Sequence, residues 1–200
     1  MRNRKEIEKT LIDVCLRVAK NNKGCLIILL EYPIEYEPLF PQDIIKFDII
    51  GSERRLEALA MLDGACIKNV NGELIGYGMN IKNITTLTGV GTRHSAAHTA
   101  SMNGNKVFLA SEEDKKVRIW QNGKIIMQLD ALEKGIETKT TEAANMLESL
   151  GFGSLATISS TLLAPAVLVG AGIAIIPGII IFGTAHYVAK QIVNSFKPKV

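Results

Sequence analysis

Little in this 200-residue sequence is strongly biased, and its scarcities exclude several classes of protein. Cysteine is sparse: Cys15, Cys25 and Cys66 are the only three. An odd count at wide spacing, each residue with apolar neighbours, fits neither a disulfide framework nor a zinc ligand set. The three read as small buried hydrophobes in a reducing compartment. Charge of one sign is also scarce: 23 Lys and Arg against 20 Asp and Glu leave a net charge of +3. That is too mild for the basic face of a nucleic-acid-binding domain, so no nucleic-acid partner is expected. No repeat or low-complexity tract is present. Arg2, Arg4, Lys5 and Glu6 open the chain with no apolar run behind them, unlike a secretory signal. A cytoplasmic location is therefore expected. Core-forming residues are not scarce. At 47% hydrophobic the chain is globular in type, long enough for one domain and an appendage.

Periodicity places the elements. Ile7, Leu11, Val14, Cys15 and Val18 recur at helical spacing over residues 5–20, and Asn21, Asn22 and Gly24 stop that helix. Residues 25–30 form an apolar run of strand length, suited to the middle of a sheet. Pro33, Pro38 and Pro41 mark an irregular connection. Ser52 is placed to cap a helix reaching about Leu62, with Leu56, Leu59, Ala60 and Leu62 inward. Residues 65–70 and 73–81 predict a hairpin whose Asn71-Gly72 pair suits a type I′ turn. A helix over 92–102, strands over 106–110, 117–120 and 124–129, and a helix from Thr141 to about Gly151 complete the pattern. The fold class is α/β, a mixed sheet flanked by helices.

From Ser149 to Ala189 the chain lacks Asp, Glu, Lys and Arg altogether. Residues 151–200 thus separate in composition from 1–150. The stretch 155–188 is long enough for one bilayer crossing and too short for two. A single crossing would strand Lys190, Lys197 and Lys199 on the far side, against the preference for cytoplasmic basic residues. A helical hairpin turning near Pro177-Gly178 keeps both ends on one side. The expectation is an apolar C-terminal helical hairpin that contacts the cytoplasmic face of a membrane or serves oligomerisation. Gly170, Ala171, Gly172 and Ala174 suit close helix packing in either setting. His186, alone in this run, is expected to be structural or interfacial.

Three clusters carry candidate chemistry. Asp63-Gly64-Ala65 sits at a helix-to-strand junction, where a carboxylate beside two nearly bare residues suits a ligand against the backbone and a divalent cation. The plain reading is a helix end and a turn. Gly89-Val90-Gly91-Thr92-Arg93-His94 leads into a helix whose first turn offers free N–H groups, a guanidinium fork and further donors, all suited to phosphate. Its plain reading is a capped helix with exposed Arg93 and His94. Ser111-Glu112-Glu113-Asp114 ends a strand and reads either as a phosphate or metal contact or as a polar turn. His94 and His98, four apart, have the spacing of a metal clamp but lack the carboxylate of the zinc-protease pattern.

In this order and spacing, Asp63-Gly64-Ala65, Gly91-Thr92-Arg93-His94 and Ser111-Glu112 resemble the diadenylate cyclase (DAC domain) family. Gly78, Ile81 and the segment Val117 to Gly123 extend the likeness over about residues 5–150, and it is nearest to archaeal-type members. The resemblance implies a DAC-like mixed sheet. It implies that Asp63 binds Mn²⁺ or Mg²⁺ and activates the ATP 3′-hydroxyl. Thr92, Arg93 and His94 would hold phosphates with help from Ser111, and Gly64, Ala65, Gly78 and Ile81 would lie near the nucleoside. Two domains, as a homodimer or within a higher oligomer, would face each other and condense two ATP into cyclic di-AMP. Ser95 stands where many members carry a second basic residue, and Leu62 where some offer a metal ligand. Two other readings compete: a nucleotide sensor without catalysis, signalling through the C-terminal hairpin, and a membrane-active protein with a regulatory N-terminal domain.

Overall fold

The computed structural model describes residues 3–151 and 173–182. Helix α1, Arg4–Lys20, begins where the Asn3 side chain accepts the Lys5 N–H at 3.0 Å. Its apolar stripe of Ile7, Leu11, Val14, Cys15 and Val18 is completely buried. Strand β1, Cys25–Leu30, follows and lies inside the sheet. It runs parallel to β3, Ala65–Asn69, and antiparallel to β5, Lys106–Ala110.

The remaining strands are β2 (Tyr36–Pro38), β4 (Leu74–Ile81), β6 (Lys116–Gln121), β7 (Lys124–Asp130), β8 (Ile173–Ile176) and β9 (Ile179–Phe182). With β1, β3 and β5 they form, among the described residues, one nine-stranded mixed sheet in the order β2-β4-β3-β1-β5-β6-β7-β9-β8. Three helices cover one face: α1, α2 (Glu53–Ala60) and α4 (Thr140–Gly151), which follows a short 3₁₀ turn at Ile136–Lys139. Helix α3, Thr92–Ser101, covers the other. The expected α/β class with helices flanking a mixed sheet is what the chain forms.

Strand alternation sorts the core. Ile27, Leu29, Phe108, Ile119 and Leu129 face α1, whereas Leu26, Ile28, Val107 and Leu109 face α3. Each fully buried aliphatic contributes about 1.5–3 kcal/mol of transfer free energy. The α1 face also buries charge. Lys106 Nζ bonds Glu8 Oε1 at 2.6 Å and the Leu147 carbonyl at 3.3 Å, while Arg4 Nε reaches the same Glu8 oxygen at 3.0 Å. Such a pair adds little net stability but is costly to break, so it pins α1, β5 and α4 in one arrangement.

Several local expectations are corrected. Strand β2 lies within the proline-rich connection, because Tyr36–Pro38 extends the edge of β4. Helix α2 stops at Ala60, and Leu62 is 41% exposed rather than inward. Ser52 occupies the cap position of α2 but makes no side-chain cap bond. The Asn71-Gly72 turn is not type I′, which needs positive φ at both residues; only Gly72 has it, at 83°. Instead Asn69 Oδ1 accepts the N–H groups of Asn71 and Glu73, each at 3.0 Å, and organises the turn itself.

The C-terminal hairpin turns at Pro177-Gly178 as expected, but its arms there are strands, not helices. The run of Ile on both sides of the turn favours extended backbone, and the free edge of β7 supplies partners. Met127 pairs with Ile181 and Leu129 with Ile179, and the Asp130 N–H donates to the Gly178 carbonyl at 2.8 Å. The rest of 155–188, His186 and the basic tail lie outside the described residues. Among the described residues, no helix is long and apolar enough to cross a membrane.

Candidate functional site

The three clusters, separated by up to 50 residues in the chain, meet at one end of β1, β3 and β5. Asp63 follows α2 and precedes β3. Its exposed Oδ1 accepts the Gly64 N–H at 2.9 Å, and Oδ2 has no partner among the described residues. Gly64 adopts φ 88°, and a Cβ there would sit 2.7 Å from the Gly78 carbonyl carbon and 2.8 Å from the Met79 nitrogen. Only glycine lets β3 and β4 approach this closely, and the pairing slips register at this point. Gly78, at φ 56°, backs Gly64 and meets Phe40.

Gly91 is the N-cap of α3, and among the described residues no side chain makes a cap hydrogen bond to this helix. The first N–H groups and the positive end of the helix dipole therefore remain open to an anion. Arg93 folds back over the entrance to β1: a Cβ on Gly24 would lie 2.7 Å from its Nη1. Ala96, Ala97 and Ala100 are buried and let α3 sit close to the sheet. Ser95 is buried too; its Oγ accepts the Leu87 N–H at 3.0 Å, and Thr99 Oγ1 accepts the Thr85 N–H at 2.9 Å. Through these two side chains the helix ties down the loop before it.

Two cavities join at Asp63, Thr92 and Arg93. The larger, about 250 Å³, is lined mainly by polar and charged residue types: Asp63, Gly91, Thr92, Arg93, His94, Leu109, Ala110, Ser111, Glu112 and Glu113. The smaller, about 170 Å³, is mostly apolar, lined by Leu26, Leu39, Asp63, Gly64, Ala65, Met79, Asn80, Ile81, Ile84, Thr92, Arg93 and Ala96. One carboxylate, one helix N-terminus and one guanidinium thus stand between an apolar slot and a polar basin. That is the layout for a ligand with a flat apolar end and an anionic tail. A roomier groove of about 930 Å³ lies between α1 and α2. Four of its charged side chains pair, Lys9 with Asp13 at 2.6 Å and Arg17 with Glu57 at 2.7 Å, and none of the three clusters lines it.

Of the residues singled out in the sequence, Asp63, Gly64, Ala65, Ile81, Thr92, Arg93, His94 and Ser111 line these cavities. Gly78 lines neither and acts from behind Gly64. Leu26, Leu39, Asn80 and Ile84 also line the smaller cavity, and their apolar or neutral types carry no signal in the sequence until β3 brings β1 and β4 into one sheet. His98 packs edge-on against Trp120, with ring centroids 6.1 Å apart.

The electrostatics centre on His94. Burial, and next the Arg118 guanidinium, push its imidazole below the ordinary pKa, against the pull of Asp114 and Glu113. Burial raises the Asp114 carboxyl, but hydrogen bonds from Arg118 and Ser111 outweigh it and hold the group below its usual range. Among the described residues no three His, Cys, Asp or Glu side chains cluster as a metal cage. Asp63 alone, with Oδ2 unpartnered, still fits Mg²⁺ or Mn²⁺, which takes one or two carboxylates and completes its shell with phosphate oxygens and water.

The sequence matches the family model described as DAC, DisA bacterial checkpoint controller nucleotide-binding, over residues 13–125. Similar solved structures include a hypothetical membrane-spanning protein from Bacillus cereus. It is 20% identical, with a TM-score of 0.43, over 56% of this chain and 58% of its own length. DacA from Staphylococcus aureus, solved as a double mutant, is 16% identical with a TM-score of 0.49, over 74% of this chain and 97% of its own. No protein of curated function matches the sequence.

Proposed function

Because the chain belongs to the DAC family, the DisA-like nucleotide-binding domains, we propose that it is a diadenylate cyclase, condensing two ATP into cyclic di-AMP and two pyrophosphates. The observation that carries this reading is the junction of the two cavities at Asp63, Thr92 and Arg93. The apolar slot between Leu26, Met79, Ile81 and Ala96 suits a nucleoside. The polar basin at the α3 N-terminus suits the triphosphate.

Each condensation forms a bond between a 3′-oxygen and the α-phosphorus of the other ATP and breaks the bond from that phosphorus to the bridging oxygen of the leaving pyrophosphate. Such transfers depend on in-line positioning and charge neutralisation more than on covalent help. Asp63 takes the hydroxyl proton. Thr92 and Arg93 hold phosphate oxygens at the open helix terminus, and His94 and Ser111 add donors from the rim. A divalent cation held by Asp63 and by phosphate oxygens would neutralise charge on the reacting phosphate.

One site holds one ATP, and a symmetric product from two identical substrates suits two copies facing each other about a two-fold axis. The charge-free stretch from Ser149 to Ala189 supports attachment to the cytoplasmic face of a membrane. Detergent-dependent extraction of the full chain is expected, and extraction in plain buffer would end that part of the reading.

The direct test is incubation of the full chain with ATP and Mn²⁺, beside Asp63→Asn, with cyclic di-AMP followed by mass spectrometry. Wild type is expected to yield product and the variant at least about 100-fold less, the loss that follows removal of a positioned base. ATP binding by a dimeric wild type without any product would turn the reading to a nucleotide sensor.

A further inference from the structure

His94 lines the polar basin, and the strand beneath it holds an arginine that does not line either cavity. Arg118 pairs with Leu109 of β5 and Gln128 of β7 in the sheet register. Its side chain is only 14% exposed. The guanidinium is held from three directions. Nε donates to Gln128 Oε1 at 3.1 Å, and both terminal nitrogens donate to Asp114, Nη1 to Oδ1 at 3.3 Å and Nη2 to Oδ2. Nη1 also lies 3.2 Å from His94 Nε2.

Guanidinium nitrogens only donate, so His94 Nε2 must be the acceptor in this contact. An imidazolium has no acceptor, and it would set a second cation against the first. The contact therefore requires a neutral ring with its proton on Nδ1. We propose that Arg118, braced by Asp114 and Gln128, is a positioning residue that fixes His94 in the Nδ1–H tautomer. The ring then offers the anion basin a neutral donor of fixed direction rather than a mobile charge. This rests on the reading of that basin as a phosphate site. The depressed pKa of His94 agrees, since burial, then Arg118, disfavours the charged ring.

The positive charge beside His94 comes from β6, across the sheet, and it is already paired with Asp114. It orients the histidine without competing for the substrate.

The test is long-range ¹H–¹⁵N NMR on the full chain labelled in histidine nitrogen, with His98→Gln and His186→Gln variants assigning the three rings. At pH 7 wild-type His94 is expected to carry its proton on Nδ1. Arg118→Met should give a mixture of tautomers and a ring that titrates at higher pH, freed from Arg118 and facing only Asp114 and Glu113. Arg118→Lys, which keeps a donor, should restore the wild-type tautomer at least in part. A proton on Nε2 in the wild type, or an unchanged tautomer in Arg118→Met, would overturn the proposal, and the wild-type spectrum decides even where the variant does not fold. In turnover, Arg118→Met should lower kcat about 10- to 100-fold, the range found for outer partners that orient a functional histidine. KM should change much less. The NMR arm needs no turnover, so a wild type that makes no cyclic di-AMP would count against the cyclase reading alone.

Discussion

The two faces of the sheet are built from different materials. On the α1 side, long aliphatics from three helices interlock with Ile27, Leu29, Phe108 and Leu129, and even the charges are buried and paired, as Glu8 with Lys106. On the α3 side, one ten-residue helix contributes only alanines to the core, and its open N-terminus carries the site. Large side chains lock a helix to a sheet but fill the space a ligand would need. Small ones give up burial and leave a slot. The contrast teaches where each kind of damage should appear: stability lost on one side, binding and chemistry on the other.

Leu11→Ala should sharpen the contrast most. Leu11 is completely buried on the α1 face, and its truncation should cost about 2–5 kcal/mol in a urea melt. The ATP affinity of the folded fraction should stay as it was. Equal losses of stability and affinity would show that the two faces are not separable.

Lys68→Met probes the exception on the same face. Lys68 shares its side of β3 with Cys66, is fully buried, has no hydrogen-bond partner for Nζ among the described residues, and stacks over the Phe47 ring at 4.5 Å. Desolvation lowers its pKa to about 8 from 10.5. Below pH 8 the lysine is charged in both folded and unfolded chains, and folding bears the full burial cost. Between about 8 and 10.5 the unfolded chain binds more protons, so wild-type stability rises with pH relative to the variant. Lys68→Met should therefore be more stable by about 1–3 kcal/mol at pH 7, with the gap closing as pH climbs through that window. A gap independent of pH would exclude this account.

Gly24→Ala should do the converse at the site. The added Cβ would meet Arg93 Nη1 at 2.7 Å and the Ala110 carbonyl at 3.2 Å. The guanidinium is the flexible partner and yields. Stability should stay within about 1 kcal/mol of wild type, while the KM for ATP should rise about tenfold through a misplaced phosphate ligand. A variant with normal KM and lowered stability would mean that Arg93 was packing material, not a ligand.

Much of the fold was legible in the chain. The stripe from Ile7 to Val18 and the unbroken apolar run of β1 announced themselves by period and length, because burial on one face or two leaves different patterns. Asp63 and the Thr92–His94 turn were legible through their order and spacing along the chain, since each motif alone reads equally well as a helix end or a capped helix. Strand β2 was hidden by its prolines. The residues on either side of Pro177-Gly178, read as helical from apolar length, are strands over 173–176 and 179–182, since a short apolar run fits either state and the partner on β7 decides. Gly24 read only as a helix stop and Arg118 only as part of the Val117 to Gly123 segment, because their place at the site depends on what the topology sets beside them.

The sequence by itself determined which residue types were available: a helix with a narrow alanine face, a glycine-led approach to Thr92, and one acidic residue followed by glycine. These are local properties, set by backbone freedom and side-chain size. Only the tertiary structure decided that Asp63, Arg93 and Ser111 border a common hollow, that Ser95 turns inward, and that Arg118 reaches His94 from another strand. Contacts between distant segments follow from strand order and register, and no window of sequence contains them.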